Sequence, residues 1–146
     1  MSAVTHVPPR IGIPAGTLEL LGGDSACIAD TWPAPRLRYQ AVQKLAAFLG
    51  RSDLSLMALL QVNERTALRR KESGELSVEE SDRLCRLARV TRSAIEALGD
   101  NTRAQQWMTR ENRALRGQIP LTLAVSDAGA ELVTDALGRI AYGLLY

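Results

Sequence analysis

The chain has 146 residues, 46% of them apolar, and a net charge of +2. A chain of this length buries roughly two thirds of the surface its unfolded form exposes, enough for one core or two small ones. It has no apolar stretch near the ~18 residues of a membrane span and no signal-peptide pattern, and it has one histidine (His6) and two distant cysteines (Cys27, Cys85). These features argue against a metal site, a disulfide framework or a histidine base and lead us to expect a cytoplasmic protein without cofactor.

Residues 1–35 hold five of the six prolines (Pro8, Pro9, Pro14, Pro33, Pro35) and the Gly22-Gly23 pair, and read as an irregular arm. Within it the run GTLELL suits either a strand or one helical turn. From Arg36 onward proline nearly vanishes and apolar residues recur at spacings of three and four, which predicts an all-α fold. The first helix is predicted over Leu37 to Leu49, with Tyr39, Val42, Leu45, Ala46 and Leu49 on its buried stripe and Gly50 as its stop. Ser52 and Asp53 offer an N-cap for a short helix through Leu60, and a third helix follows from Glu64 to Glu72.

Ser77 and Glu80 have the spacing of a capping box, opening a helix whose stripe is Ser81, Leu84, Leu87 and Ala88. Thr91 is predicted to start a fifth helix that Gly99 ends, and Asp100 to Met108 a sixth that carries Trp107. The stretch RALRGQIP reads as a loop or single turn, with Pro120 suited to a helix start. The last helix is predicted from Ser126 to about Gly143. Its stripe is Val133, Ala136, Leu137, Ile140 and Leu144, with Glu131, Thr134 and Asp135 facing away.

The positive charge is central, with thirteen Lys/Arg against ten Asp/Glu over residues 50–116 and one Arg against three acids over residues 117–146. Two short helices joined by a brief turn, inside a set of about five, outline a helix-turn-helix. On the wheel of the third helix, Ala67 and Leu68 fall toward the core, and Arg65, Thr66, Arg69 and Arg70 fall on the opposite side. Arginine pairs with guanine O6 and N7 or with phosphate, and threonine contacts thymine methyl or phosphate, so this face suits major-groove docking. A solvated charged helix has the same composition; the position of the arginines, on the second helix of the motif, favours a DNA contact. Met57 stands where a small residue would let the helices approach, Gln61 where the turn commonly has glycine, and Arg70 where the site is often apolar.

Near the C-terminus, NRALRGQIPL followed by SDAGAELVTDALGRIAYGLLY resembles the toxin-binding domain of the Xre/MbcA/ParS antitoxins. The resemblance rests on Asn112, Leu115, Gly117, Pro120, Leu121, Gly129, Val133, Leu137, Gly138, Arg139, Ile140, Tyr142 and Gly143. Arg116 departs from it where a second glycine is frequent, and Ala141 where glutamate often precedes the tyrosine. The preceding RTALRRKESGELSVEESDRLCRLARV resembles the Cro-type helix-turn-helix that the family carries ahead of that domain.

The resemblance implies a non-enzymatic antitoxin of a type II toxin–antitoxin pair. Its partner would be a RES-domain toxin that degrades NAD or transfers ADP-ribose from it, occluded by the antitoxin's C-terminal segment. It further implies binding to its own promoter; because helix-turn-helix proteins commonly read paired half-sites, a homodimer or a larger hetero-oligomer with toxin is expected. The expected organisation is an arm at 1–35, a Cro-like DNA-binding domain at 36–100 and a toxin-binding domain at 101–146. DNA contacts are expected from Arg65, Thr66, Arg69 and Arg70, and toxin contacts from Gly138, Arg139, Tyr142, Gly143, Leu144, Leu145 and Tyr146.

Each interior helical glycine costs about 1 kcal/mol against alanine, so Gly129 and Gly138 both need a close neighbour, either inside the chain or on a partner. No phosphate-cradling loop, nucleophile elbow or paired catalytic carboxylate appears, and no catalytic residue is assigned. The alternative is a free-standing helix-turn-helix regulator whose C-terminal segment makes a homodimer.

Overall fold

The first helix, α1 (Tyr39–Leu49), is entered from an extended segment whose backbone is already committed. The Leu37 N–H donates to Ser81 Oγ at 2.8 Å, and the Leu37 carbonyl accepts from Leu76 N at 2.9 Å, so helix begins two residues later than the apolar pattern predicts. This computed structural model describes residues 36–143. The predicted arm at 1–35, with His6, Cys27 and the GTLELL run, lies outside the described residues, as do Leu144, Leu145 and Tyr146.

Six more α-helices follow: α2 (Asp53–Leu59), α3 (Glu64–Ser73), α4 (Val78–Leu98), α5 (Asn101–Thr109), α6 (Pro120–Leu123) and α7 (Asp127–Ala141), with a 3₁₀ turn at Arg113–Leu115. Their starts are written in local chemistry. The side chains of Ser52, Asn63, Ser77, Asp100 and Ser126 each accept a backbone N–H three residues on, satisfying a donor the helix itself cannot pair. At Ser77 the capping box is complete, because Glu80 reaches back to the Ser77 N–H at 3.0 Å. Pro120 occupies the first turn of α6, where its missing N–H is no loss.

The predicted break at Thr91 does not occur. Residues 78–98 form one helix of 21 residues, about 30 Å long at 1.5 Å per residue. The Thr91 hydroxyl donates to the Leu87 carbonyl one turn back at 2.8 Å, and the residue is fully buried, so its oxygen is satisfied inside the helix and does not cap a new one. The last helix ends at Ala141, two residues short of the predicted Gly143.

One core runs the length of the described residues. Leu45, Leu49, Leu56, Met57 and Leu60 belong to it together with Leu84, Leu87, Met108, Leu121, Val133 and Leu137. Helix α4 is its spine, packing on both α5 and α7. Leu68, placed in the core by the helical wheel, is 47% exposed, because α3 buries only Ala67. Trp107 is half-buried against the core. Among the described residues no helix is long and apolar enough to cross a membrane.

Candidate functional site

Two exposed faces emerge from this frame. The first belongs to α2 and α3. The chain turns between them with Gln61 in the left-handed region at φ 64°, adopting the glycine-type conformation without glycine. Three anchors fix the turn: the Val62 N–H donates to the Met57 carbonyl at 3.0 Å, Leu60 is fully buried, and Arg83 of α4 donates from Nη1 to the Leu60 carbonyl at 3.0 Å. Met57, also fully buried, fills the space where a smaller residue would let the helices close.

The face α3 presents is Arg65, Leu68 and Arg69, all exposed and spaced at i, i+3 and i+4. Thr66 is half-buried at its margin, its N–H held by Asn63 Oδ1 at 2.8 Å. Arg70 is turned the other way. Its Nε pairs with Glu80 Oε1 at 2.9 Å, with the Arg70 side chain 27% and the Glu80 side chain 9% exposed. Lys71 pairs with Asp53 at 3.2 Å, and Tyr39 donates its hydroxyl to the same carboxylate oxygen at 2.8 Å. The C-terminal end of α3 is therefore bolted to α2 and α4 through two carboxylates. Burial acts to raise the Asp53 carboxyl, but the bonds from Tyr39, Lys71 and the Leu54 backbone outweigh it and hold it below its ordinary value. Burial likewise acts against the charged form of Glu80, and the Ser77 N–H and the Arg70 guanidinium overcome it and lower that carboxyl too. The Tyr39 phenol is pushed up by burial and by the adjacent Asp53.

The second face belongs to α7. Its inner stripe, Val133, Ala136 and Leu137, is buried. Its outer stripe, Leu132, Asp135, Arg139 and Tyr142, is exposed along its whole length, with Leu132 at 56% and Tyr142 at 84%. Asp135 and Arg139 stand at i,i+4 but form no ion pair among the described residues, leaving the guanidinium in solvent. Leu132 was not singled out by the sequence pattern, although a leucine on the polar side of an amphipathic helix was the available signal.

The two helical glycines differ. A Cβ on Gly129 would collide with the Leu123 carbonyl, so this glycine lets α6 and α7 meet inside the chain. A Cβ on Gly138 would meet nothing within 4 Å. Gly138 instead floors an open trough of about 250 Å³ between α4 and α7, walled by Ser93, Ala97, Thr134 and Ala141. Gly143, at φ 72°, turns the chain out of α7. No group of three His, Cys, Asp or Glu side chains that could hold a metal ion occurs among the described residues.

Residues 35–89 match the family model of the antitoxin Xre-like helix-turn-helix domain, and residues 93–143 match that of the antitoxin Xre/MbcA/ParS C-terminal toxin-binding domain. The two matches meet inside α4. The chain is also similar to proteins named Antitoxin Xre. The one from Photorhabdus laumondii subsp. laumondii is 30% identical over 105 residues, 71% of this chain and 70% of that protein. The one from Yersinia enterocolitica is 34% identical over 77 residues, 52% of each chain. The one from Pseudomonas putida is 32% identical over 68 residues, 47% of this chain and 43% of that protein.

Proposed function

The chain belongs to the Xre/MbcA/ParS family of antitoxins, and from that premise we propose that it neutralises a RES-domain toxin by covering its active site and represses its own promoter through α2 and α3. The observation that carries the toxin reading is the outer stripe of α7, where Leu132, Arg139 and Tyr142 stay exposed on a helix whose inner stripe, Val133, Ala136 and Leu137, is buried. An exposed tyrosine beside a leucine and an arginine that makes no ion pair among the described residues is the composition of an interface core. Gly138, with open space over it, lets a partner approach the α7 backbone closely.

Toxin binding is assigned to residues 101–146, with the second half of α4 supplying one wall. Gly138, Arg139, Tyr142 and Gly143 belong to it, and Leu144, Leu145 and Tyr146 are the segment that enters the toxin's cleft. DNA reading is assigned to residues 36–100. Arg65 and Arg69 reach base edges or phosphate, Thr66 contacts the backbone at the margin, and Arg70 orients α3 through Glu80. Leu68 adds an apolar contact suited to a thymine methyl. The protein acts as a homodimer on paired half-sites and as a larger assembly with toxin, in the cytoplasm and without catalysis of its own.

The toxin role is tested by co-expression with the toxin from the adjacent reading frame. Deleting residues 144–146 should abolish protection while leaving the unfolding curve unchanged, and surviving cells would refute cleft occlusion. If the alternative regulator reading held, the adjacent gene product would not co-purify with the chain. The DNA role is tested by a gel shift on the upstream sequence. Replacing Arg65 and Arg69 by alanine should weaken binding and reduce the slope of log K against log salt by about 2, one counterion per lost phosphate contact. Unchanged affinity together with an unchanged slope would sink the assignment. Incubation of the pure protein with NAD should give no turnover.

A further inference from the structure

A larger groove of about 590 Å³ lies between α4 and α7 and shares the lining residues Ser93 and Thr134 with the trough at Gly138. Two arginines of α4 line it, and they are in opposite states. Arg86 is fully used: Nη2 pairs with Asp82 at 3.0 Å, Nε with Asp127 at 2.8 Å, and Nη1 donates to the Val125 carbonyl at 3.1 Å. Arg89, three residues further on, has its Nε buried from solvent, and its guanidinium makes no hydrogen bond or ion pair among the described residues. A buried donor left unpaired is destabilising, and native proteins keep few of them. The acids that might have served it, Asp82 and Asp127, are held by Arg86, and Glu131, on the α7 wall, makes no ion pair among the described residues.

We propose that this groove receives a carboxylate-bearing segment of the toxin and that Arg89 is the residue that recognises the carboxylate. With Nε turned inward, the two terminal nitrogens of the Arg89 guanidinium offer a planar fork of donors that matches a carboxylate with two parallel bonds, and a half-sheltered groove strengthens that pairing relative to open solvent. The occupant is the toxin because Ser93 and the α7 wall of the groove lie within residues 93–143, which match the toxin-binding domain, and the groove shares Ser93 and Thr134 with the Gly138 trough beside the outer stripe of α7. The inference therefore rests on the toxin-binding reading of that face and extends it by about three turns along α4. Glu131 has a defined part in it: its carboxylate faces the same groove as Arg89 and opposes a second negative charge arriving there.

The test is calorimetric titration of the full chain with the purified toxin from the adjacent reading frame. Arg89→Gln should weaken binding by roughly tenfold to hundredfold, the range expected for a lost charged hydrogen bond, with operator binding unchanged. Arg89→Lys keeps the charge but loses the fork and should fall between the two; it also decides the matter if Arg89→Gln unfolds the chain. Glu131→Gln removes the opposing carboxylate and should tighten binding. Unchanged affinity in the Arg89 variants, or weaker binding in Glu131→Gln, overturns the proposal and leaves the toxin reading intact. Failure of the wild-type chain to bind the toxin overturns both.

Discussion

Arg70 Nε lies 2.9 Å from Glu80 Oε1, and that oxygen also accepts the Ser77 N–H at 3.0 Å. One carboxylate thus closes the capping box of α4 and pins the last turn of α3, so the orientation of the proposed reading helix and the start of the core's longest helix share an atom. Glu80→Gln keeps the volume and removes the charge. It should destabilise the chain by about 1–2 kcal/mol in urea unfolding, the scale of a partly sheltered charged hydrogen bond. It should also weaken operator binding without changing its salt slope, since no phosphate contact is lost. A steeper slope would mean that Arg70, released from Glu80, takes up a phosphate itself.

The same carboxylate makes stability depend on pH. Asp53 and Glu80 both titrate below their ordinary values in the folded chain, so each stabilises it fully above its unfolded pKa of about 4. That contribution is lost as pH falls through the lower folded values, when the carboxyls take up protons. Unfolding free energy should be nearly flat in this respect from pH 7 to about 5 and drop below about 4. The drop should be shallower in Glu80→Gln, and an equal slope in the two proteins would exclude Glu80 as a contributor.

What the amino-acid pattern reveals and what it hides divides along the range of the interactions. The caps at Ser52, Ser77 and Ser126 are legible because each is a contact across three residues. Thr91 misleads for a related reason. Its hydroxyl has two local options, capping a new helix or bonding back to Leu87, and the packing of α5 and α7 on α4 selects the second. The candidate site shows the same split. The wheel separates Arg65 and Arg69 from Ala67, but the tie from Arg70 to Glu80 joins residues ten apart, and Leu68 is exposed because none of the described residues packs over α3 there. Arg89, buried at Nε in a groove between two helices, carries no local signal at all.

Gln61 offers a gain in stability. It holds φ 64° in the turn between α2 and α3, is exposed, and occupies a conformation that is strained for any side chain with a Cβ. Gln61→Gly should relieve that strain by more than the added flexibility of the unfolded chain removes, a net stabilisation of about 0.5–1 kcal/mol. Urea unfolding at neutral pH measures it directly. A destabilised variant would mean that the glutamine side chain makes a contact worth more than the strain.

Alanine at the two glycines of α7 separates the chain's own packing from its proposed interface. At Gly129 the new methyl would overlap the Leu123 carbonyl, a backbone atom that cannot swing aside, so α6 and α7 must part. The expected loss is about 2–3 kcal/mol or more, in the range of overpacked cores. At Gly138 the methyl enters open space, and removing a helical glycine should stabilise the free chain by about 1 kcal/mol. If a toxin packs against the α7 backbone there, Gly138→Ala should fold better and bind worse, with affinity for the adjacent toxin falling by tenfold or more for a clash of about 1.4 kcal/mol. A gain in stability with no loss of toxin binding would move the contact elsewhere on α7, toward Leu132, and leave the trough beside Ala97 and Ala141 outside the interface.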